Sequence, residues 1–328
     1  MLRAALTPVA WAYGGLTAAR GWAYDRGLLA ARPLPVPVIS VGSVVMGGTG
    51  KTPVTRWIAQ RMANEGLQVG VVCGAYGGAT RDIPSVIRGA DREIVRRHGD
   101  EAGLLAGWLP DALVVGGRDK LAAAWLAVRR GAEVVVVDDG FQHRRLARAV
   151  DIVVHRGPIP PMFPVGWARE SAAAIRRAHL RWHHNRDMSS RLAPNADVVS
   201  RNHPAGLRDV AGNIVGNPQM LAGRRVCLMA AVAHPADFCA LVQGLGAQVV
   251  GQVFIRDHQP FRARDFRRAA RTGAELLLCT EKDAVRMIGQ NGSKDLTALV
   301  CELEILSGTE RVTQIVNLER AMVRSCGS

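Results

Sequence analysis

A glycine-rich segment that ends in a lysine and a threonine is the strongest chemical signal in the sequence. The segment consists of Gly47, Gly48, Thr49, Gly50, Lys51 and Thr52. Glycines let backbone N–H groups turn inward around a phosphate, and the N-terminus of a following helix adds donors and a favourable dipole. Lys51 would supply a charge for the β- and γ-phosphates, and the Thr52 hydroxyl would ligate Mg²⁺. The segment therefore predicts a nucleoside triphosphate site with Mg²⁺.

The match to the phosphate-loop pattern is incomplete. In the pattern GxxxxGK[ST] the first glycine would stand at position 45, where the chain has Val45. The match is therefore to the GK[ST] end, with a shifted glycine pair. A chance glycine-rich turn is the alternative, but the strand-like run VISVG before the segment and the helical stretch after it favour a phosphate loop.

Two acidic residues follow a second apolar run. Asp138 and Asp139 end the run VVVVDD, where a metal-binding carboxylate of a phosphate-loop enzyme belongs. They could instead cap the following turn. With the glycine-rich segment they predict an enzyme that uses a nucleoside triphosphate, without separating a kinase from a GTPase or a motor. The sequence lacks an NKxD segment, which reads the base in GTPases, and TEKDA at 280–284 only loosely resembles it.

The elements that would position these groups alternate between strands and helices. Near-continuous Val/Ile runs indicate strands covered on both faces, at 36–42, 67–73, 112–117, 132–140 and 150–157. The alternation predicts an α/β fold with a doubly wound, mostly parallel sheet of the P-loop NTPase kind. In such a sheet ligands bind at the carboxyl ends of the strands, where the glycine-rich segment and both aspartates fall.

The pattern divides the chain into four predicted regions. They are an N-terminal membrane-interface segment (1–34), a P-loop core (35–160), a basic connecting region (161–210) and a second, smaller α/β domain (211–328). Apolar strand-like runs return in the last region, as in RRVCLMAAV and AELLLCT. The connecting region is marked instead by a Pro-rich loop and by clustered arginines between 169 and 191.

The N-terminal segment has the composition of a membrane-interface helix. Residues 4–19 carry no formal charge, but they fall short of the ~20 residues that a spanning helix needs. Aromatic residues recur among small ones, and arginines surround them: Trp11, Tyr13 and Trp22, with Arg20, Arg26 and Arg32. Such a segment can lie in the membrane interface as an amphipathic helix. A helix packed on its own domain is the alternative.

The charge of the chain indicates an anionic partner. The 328 residues include 42 Lys and Arg against 28 Asp and Glu, which gives a formal net charge of +14. Nucleic acid, nucleotide phosphates, a phosphorylated substrate and an anionic membrane all fit this excess. The 6 cysteines are scattered without CxxC spacing, which favours buried free thiols in a reducing compartment over a zinc site or disulfides.

Six sequence segments occur together in a fixed order between about 40 and 290. They are GGTGKTP (47–53), HGDEAGLLA (98–106), DDGFQHRRLARAVDIVV (138–154), VGWARES (165–171), RDHQPF (256–261) and TEKDAVRM (280–287). In order and spacing they resemble the tetraacyldisaccharide 4′-kinase (LpxK) family of lipid A biosynthesis. The P-loop of that family likewise lacks the first glycine, so Val45 fits the resemblance.

The resemblance implies a specific reaction and setting. The γ-phosphoryl group of ATP would be transferred to the 4′-hydroxyl of tetraacyldisaccharide 1-phosphate, giving lipid IVA, with Mg²⁺ as cofactor. The implied partners are this acylated disaccharide and the anionic surface of the inner membrane, with no nucleic acid. The chain would act as a monomer and as a peripheral protein on the cytoplasmic face of the inner membrane of a Gram-negative bacterium.

The resemblance also implies roles for individual residues. Asp100 aligns with the catalytic base and His258 with its partner, while Lys51 serves catalysis from the P-loop. Metal ligands would come from Thr52, Asp138 and Asp139. Substrate contacts would come from Tyr76, Gln142, His143 and Arg169. Without the resemblance, Asp100 reads as a helix cap and His258 as a surface histidine.

The chain departs from the family pattern after its second predicted strand. It reads CGAYGG at 73–78, where the family often reads SRGYGG, so Gly74 replaces an arginine. A different P-loop kinase or NTPase acting on a soluble substrate remains the alternative function. A nucleic-acid-binding protein is disfavoured, because the basic cluster at 169–191 has Trp182 as its one aromatic residue.

Overall fold

The computed structural model describes residues 2–80, 82–185, 193, 195–257, 259, 261–290 and 295–315. In the first half of the chain the elements are α1 (Leu2–Asp25), β1 (Val38–Gly42), α2 (Lys51–Asn64), β2 (Val69–Cys73), β3 (Ser85–Ile87), α3 (Arg92–His98), α4 (Asp100–Trp108), β4 (Leu113–Gly116), α5 (Lys120–Arg129), β5 (Val134–Asp138) and β6 (Val150–His155). In the second half they are a 3₁₀ turn (Ala172–Arg177), β7 (Leu180–Asn185), β8 (Val198–Asp209), β9 (Ile214–Gly216), a second 3₁₀ turn (Pro218–Leu221), β10 (Arg225–Ala230), α6 (Pro235–Gly244), β11 (Gln248–Phe254), α7 (Ala263–Ala270), β12 (Leu276–Thr280), α8 (Glu281–Met287) and β13 (Leu296–Ser307).

The strands form one 13-stranded sheet. Its order is β11-β10-β12-β13-β8-β7-β6-β1-β5-β2-β4-β3, and β9 pairs with β8 beside this path. Neighbours are parallel except at β13/β8, β3/β4 and β8/β9. The prediction of an α/β fold with a mostly parallel sheet is confirmed. The sheet continues through the region 161–210, which contributes β7 and β8 to its middle, and the division into domains stays a prediction.

The cores lie on both faces of this sheet, as the continuous apolar strands require. In β1, Ile39 and Val41 pack with Val54 and Ile58 of α2 on one face, and Val38 packs with the α5 side on the other. In the second half, α6 covers one face and α7 and α8 contribute to a cluster on the other. Cys73, Cys227 and Cys279 are buried free thiols, as predicted, whereas Cys239 and Cys301 are free but only half-buried. Cys326 lies outside the described residues.

Helix α1 projects apolar side chains into solvent while it is anchored at its C-terminal end. Trp11, Leu16 and Trp22 are 74%, 70% and 54% exposed. Arg144 holds the end of the helix, because it donates to the Gly21 carbonyl at 2.7 Å and to Asp25 at 2.6 Å. Within the part of the chain that the structure describes, α1 and every other helix are too short or too polar to cross a bilayer.

Candidate active site

The glycine-rich segment forms a loop between β1 and α2, as predicted. Gly50 is the N-cap of α2 and has a φ of 91°, a left-handed conformation that favours glycine. A Cβ atom at this position would also lie 2.3 Å from His184 Cδ2. Lys51 and Thr52 are the first two residues of α2, so both side chains start where the backbone N–H groups of the helix are free to bind an anion.

The first half of the loop is held by a neighbouring segment, which explains Val45. Arg169 N–H donates to the Val44 carbonyl at 2.7 Å, and Met46 N–H donates to the Trp167 carbonyl at 2.8 Å. Val45 itself pairs with Ala168 in an antiparallel bridge. Position 45 is therefore extended and has no need for glycine. The same pairing brings Arg169 to the loop.

Asp138 lies at the end of β5 and faces the start of α2. Its Oδ1 accepts from Thr55 Oγ1 at 2.8 Å, and its Oδ2 lies 3.2 Å from Thr52 Oγ1. Burial, followed by the charge of Glu101, raises the pKa of Asp138 to about 6. Thr52 and Asp138 thus present a hydroxyl and a carboxylate oxygen side by side, which are the hard oxygen ligands that Mg²⁺ prefers.

Asp139 points to a different group of partners. Its carboxylate accepts from Arg169 Nη1 at 2.8 and 2.9 Å and lies 3.5 Å from Lys51 Nζ. Burial opposes ionisation of Asp139, but the cations Lys51, Lys120 and Arg169 hold its pKa well below the ordinary value. Asp139 is therefore an anion that orients the P-loop lysine, and Asp138 is the carboxylate nearer to Thr52.

A buried lysine fixes the backbone between these two aspartates. Lys120, the first residue of α5, is 2% exposed and donates to the main-chain carbonyls of Asp138 and, at 2.7 Å, of Asp139. Asp139 has a φ of 50°, in the left-handed region, where a residue with a Cβ is strained. The two bonds from Lys120 hold this turn, so that the neighbouring carboxylates face different partners.

The predicted base, Asp100, is bonded to an arginine from the second half of the chain. Asp100 is the first residue of α4, and its Oδ2 accepts from Arg286 Nε at 2.5 Å. Arg286, on α8, also donates to Asp283 at 3.1 Å and to Asp257 at 3.4 Å. The segments HGDE, RDHQPF and TEKDAVRM therefore meet at one place, although His258 itself lies outside the described residues.

A cavity of about 640 Å³ connects these groups. Its polar lining includes the glycine-rich loop, Asp138, Asp139, Arg169 and Tyr76. Its apolar lining includes Trp108, Phe238, Leu241 and Leu299. Glu101 and Asp257 line the cavity and bind Lys282 at 3.0 and 3.7 Å, whereas Asp100 is absent from the described lining. This lining suits a nucleotide, because phosphates can bind at the loop and a base can pack on apolar side chains.

The predicted substrate residues fall into two places. Gln142 joins Arg169 and Glu170, because its Oε1 accepts from Arg169 at 3.3 Å and its Nε2 donates to Glu170 at 3.0 Å. His143 instead lines a second cavity of about 420 Å³ beside α1. Burial lowers the pKa of His143 to about 4, so its imidazole is neutral near pH 7.

Substituting His143 should change how stability depends on pH. Because the folded-state pKa lies below the ordinary 6.5, protonation favours unfolding. The stabilisation is present above pH 6.5 and is lost as the pH falls towards 4. We expect urea unfolding of the wild-type chain to lose about 1–2 kcal/mol more than His143→Gln between pH 7 and about pH 5. Equal losses in the two proteins would contradict a buried neutral His143.

Comparison with known proteins decides the family. The family model for tetraacyldisaccharide-1-P 4′-kinase (LpxK) matches residues 2–319. The chain belongs to the tetraacyldisaccharide 4′-kinase family. The tetraacyldisaccharide 4′-kinase of Anaeromyxobacter dehalogenans (strain 2CP-C) is 36% identical over 318 residues, covering 89% of this chain and 84% of that protein. The enzyme of the same name from Chlorobium luteolum is 33% identical over 353 residues, covering 97% of both.

A solved structure has the same fold as this member of the tetraacyldisaccharide 4′-kinase family. It is the crystal structure of the "apo" form of LpxK from Aquifex aeolicus in complex with ATP, with a TM-score of 0.77 and 24% identity. The match covers 97% of this chain and 99% of that one. It supports the arrangement of the sheet and helices described above.

Three residues of this family member enter the site without a local sequence signal. Lys120 holds the Asp138–Asp139 turn, Arg286 binds Asp100, and Glu170 links Gln142 to Arg177. Lys120 is the first residue of a helix, a position where a cation is unfavourable. This unusual placement is the one sequence signal that could have pointed to a role for Lys120. Arg286 lies in TEKDAVRM. That segment resembles the family, but the resemblance alone does not assign a role to Arg286.

Proposed function

We propose that the chain transfers the γ-phosphoryl group of ATP to the 4′-hydroxyl of tetraacyldisaccharide 1-phosphate, giving lipid IVA. The observation that carries the proposal is the meeting of the P-loop with the HGDE, DDG and TEKDAVRM segments around one cavity, in a chain of this family. ATP would have its phosphates at Lys51 and its adenine against apolar lining residues such as Phe238 and Leu241.

The P-loop supplies most of the charge that phosphoryl transfer needs. Lys51 Nζ, oriented by Asp139 at 3.5 Å, would contact the β- and γ-phosphates. The Thr49 hydroxyl is buried and has no hydrogen-bond partner among the described residues, which leaves it free for a phosphate oxygen. Such groups stabilise the transferred phosphoryl without reorganisation during the reaction.

Magnesium fits beside the P-loop. Thr52 Oγ1 and Asp138 Oδ2 would be its protein ligands, and the nucleotide phosphates would supply further oxygens. When bound, Mg²⁺ would neutralise charge on the β- and γ-phosphate oxygens. Thr55 holds the other oxygen of Asp138 and so fixes the direction of the carboxylate.

Proton removal from the acceptor is assigned to Asp100. The sugar hydroxyl must lose its proton as it attacks phosphorus, and a carboxylate within hydrogen-bond reach can orient it and accept the proton. In this structure Arg286 occupies that carboxylate. Because Arg286 also binds Asp283 and Asp257, it can keep carboxylate partners when Asp100 turns to the substrate.

The second cavity suits the phosphate at the other end of the lipid. Arg20, Arg118 and Arg145 line it together with the neutral His143. Asp82 and Asp119 also line it and pair with Arg118 at 3.7 Å and with Arg145 at 3.2 Å, so the phosphate would compete with these two carboxylates. Arg20 belongs to α1 and donates to the Gln142 carbonyl at 3.1 Å, which connects the N-terminal helix to the site. Arginines bind phosphate oxygens with directed, charge-assisted hydrogen bonds, so this cavity would accept the 1-phosphate.

The exposed face of α1 is assigned to the membrane interface. We expect the full chain to float with vesicles that contain anionic lipid and the double variant Trp11→Ser/Trp22→Ser to bind at least about tenfold more weakly, because two exposed indoles no longer enter the interface. A chain lacking residues 1–30 should show the same loss in the same flotation assay.

Ile214→Ser is the matched control for the tryptophan variants. Ile214 is 77% exposed on β9, far along the chain from α1. Its substitution should leave flotation unchanged. Equal flotation of the Trp11/Trp22 double variant and the wild-type chain would remove α1 from the membrane contact.

Lipid dependence of ATP consumption tests the proposed function. ATP turnover by the purified chain is measured with and without tetraacyldisaccharide 1-phosphate. Turnover that requires the lipid supports the proposal. Turnover at the same rate without lipid would favour a P-loop NTPase or kinase acting on a soluble substrate.

A further inference from the structure

Strand β7 presents two side chains to the P-loop helix. Trp182 and His184 are two residues apart and therefore lie on the same face of the strand. The Trp182 ring meets Trp57 of α2 edge-to-face, with centroids 5.8 Å apart. The His184 ring lies against Gly50, the N-cap of the same helix. Both β7 side chains are almost fully buried, so α2 rests on a fixed surface.

A chain of hydrogen bonds sets the orientation of His184. Trp182 Nε1–H can only donate, and it donates to Ser200 Oγ of β8 at 2.7 Å. The Ser200 proton is then available to His184 Nδ1, which lies 2.9 Å away. With Nδ1 accepting, Nε2 is the ring nitrogen that carries a proton, and it donates to Asn202 Oδ1 at 3.1 Å. The ring is thus held from both ends.

Contact with His184 leaves Gly50 little room to move. A side chain as small as a methyl group at Gly50 would collide with the ring. Gly50 also has the left-handed φ of 91° that lets the loop turn into α2 and places Lys51 next to it. A shift of the ring would therefore change the direction in which the first N–H groups of α2 and the Lys51 side chain point.

We propose that His184 is a positioning residue, which holds the turn at Gly50 so that the P-loop is preformed for the triphosphate of ATP. The bonds to Ser200 and Asn202 make the ring a rigid support for the loop. His184 lines the cavity beside Gly50, and there it would act on the nucleotide through Gly50 and Lys51, without contact with the acceptor lipid. Preorganisation of this kind lowers the cost of binding, and its loss weakens affinity.

The test is ATP binding measured in the absence of lipid. The inference rests on the proposed function in one respect, namely that ATP is the ligand of the P-loop. We expect His184→Ala to weaken ATP binding about 10–100-fold, as for a misplaced binding group. The KM for ATP should rise accordingly, while the KM for the lipid stays unchanged. His184→Gln, whose amide can accept from Ser200 and donate to Asn202, should recover most of the affinity.

His183→Ala is the matched control, because His183 is the next residue on β7 and points to the other face, towards Asn185. Its affinity for ATP should equal that of the wild-type chain. A purely structural role for His184 would instead lower the Tm and the active fraction, with the KM for ATP unchanged, and that result would overturn the inference. If His184→Ala does not fold, Ser200→Ala carries the same test, because it removes the bond that orients the ring.

The two possible failures are distinguishable. A wild-type chain that binds no ATP would overturn the proposed function and this inference with it. Binding of ATP by the wild-type chain, with equal affinity in folded His184→Ala, would overturn the inference alone.

Discussion

Replacing Asp100 by asparagine is expected to lower kcat by about 10²–10⁴-fold while ATP binding is retained. Asparagine keeps the shape of the side chain but cannot take the proton of the sugar hydroxyl. The fold should survive, because Arg286 keeps Asp283 and Asp257 as carboxylate partners and the Ala231 carbonyl as an acceptor. Steady-state turnover with saturating lipid, alongside ATP binding, measures both expectations.

Glu101→Gln is the matched control for Asp100→Asn. Glu101 is the next residue, lines the cavity and pairs with Lys282 at 3.0 Å. Its loss should cost less than the loss of the base. The competing interpretation is that Asp100 only anchors Arg286 of α8. In that case Arg286→Met would lower kcat and Tm as much as Asp100→Asn does, and matched losses of this kind would remove the base assignment.

Replacing Lys51 by methionine is expected to reduce kcat/KM for ATP by about 10³-fold or more, because the P-loop cation at the β- and γ-phosphates is lost. The folded state should persist. Asp139 keeps Arg169 at 2.8 Å, and the Lys120 charge still lowers its pKa. Turnover and thermal unfolding of Lys51→Met, compared with the wild-type chain, check the two parts of this prediction.

Arg61→Met removes the same charge from the other end of α2. Arg61 is partly exposed and pairs with Glu65 at 3.6 Å, in the last turn of the helix. We expect its turnover to match that of the wild-type chain. If the two variants lost activity equally, the effect would follow from net charge and not from a phosphate contact by Lys51.

The sheet and the P-loop could be predicted because their signals are local. Buried parallel strands require continuous apolar runs, and runs such as VVVVDD are visible in any single sequence. The residue types from Gly47 to Thr52 are sufficient to predict a phosphate-binding loop. The pattern also places Asp138 and Asp139 at a strand end, next to the loop. These predictions depend only on residues that are close in the sequence, and the observed fold agrees with the predictions.

Strand β7 could not be predicted, because its signal is polar. The sequence LRWHHN has the composition of a basic connection, and His184 and Asn185 become buried only once partners from elsewhere in the chain satisfy them. Ser200, for example, lies 16 residues from His184 and satisfies its ring nitrogen. Buried polar groups of this kind need hydrogen bonds that only the completed fold supplies.

The partners of the site aspartates could not be predicted from the sequence either, because they too come from distant parts of the chain. Arg286 binds Asp100 across 186 residues, and Lys120 reaches the Asp138 and Asp139 carbonyls from another strand–helix connection. Sequence spacing carries no information on such contacts. The resemblance to the family pointed to Asp100 and to TEKDAVRM as separate segments. Only the fold shows that Asp100 and Arg286 of TEKDAVRM are in contact.

Transfer of labelled phosphate into the lipid is the decisive test of the proposed kinase activity. The purified chain is incubated with ATP labelled at the γ-phosphate, Mg²⁺ and tetraacyldisaccharide 1-phosphate, and lipid and inorganic phosphate are separated. We expect label in the lipid, no label when the 4′-hydroxyl is methylated, and a large loss of label with Lys51→Met. Label that appears only in inorganic phosphate, or that enters the methylated lipid equally well, would contradict that activity.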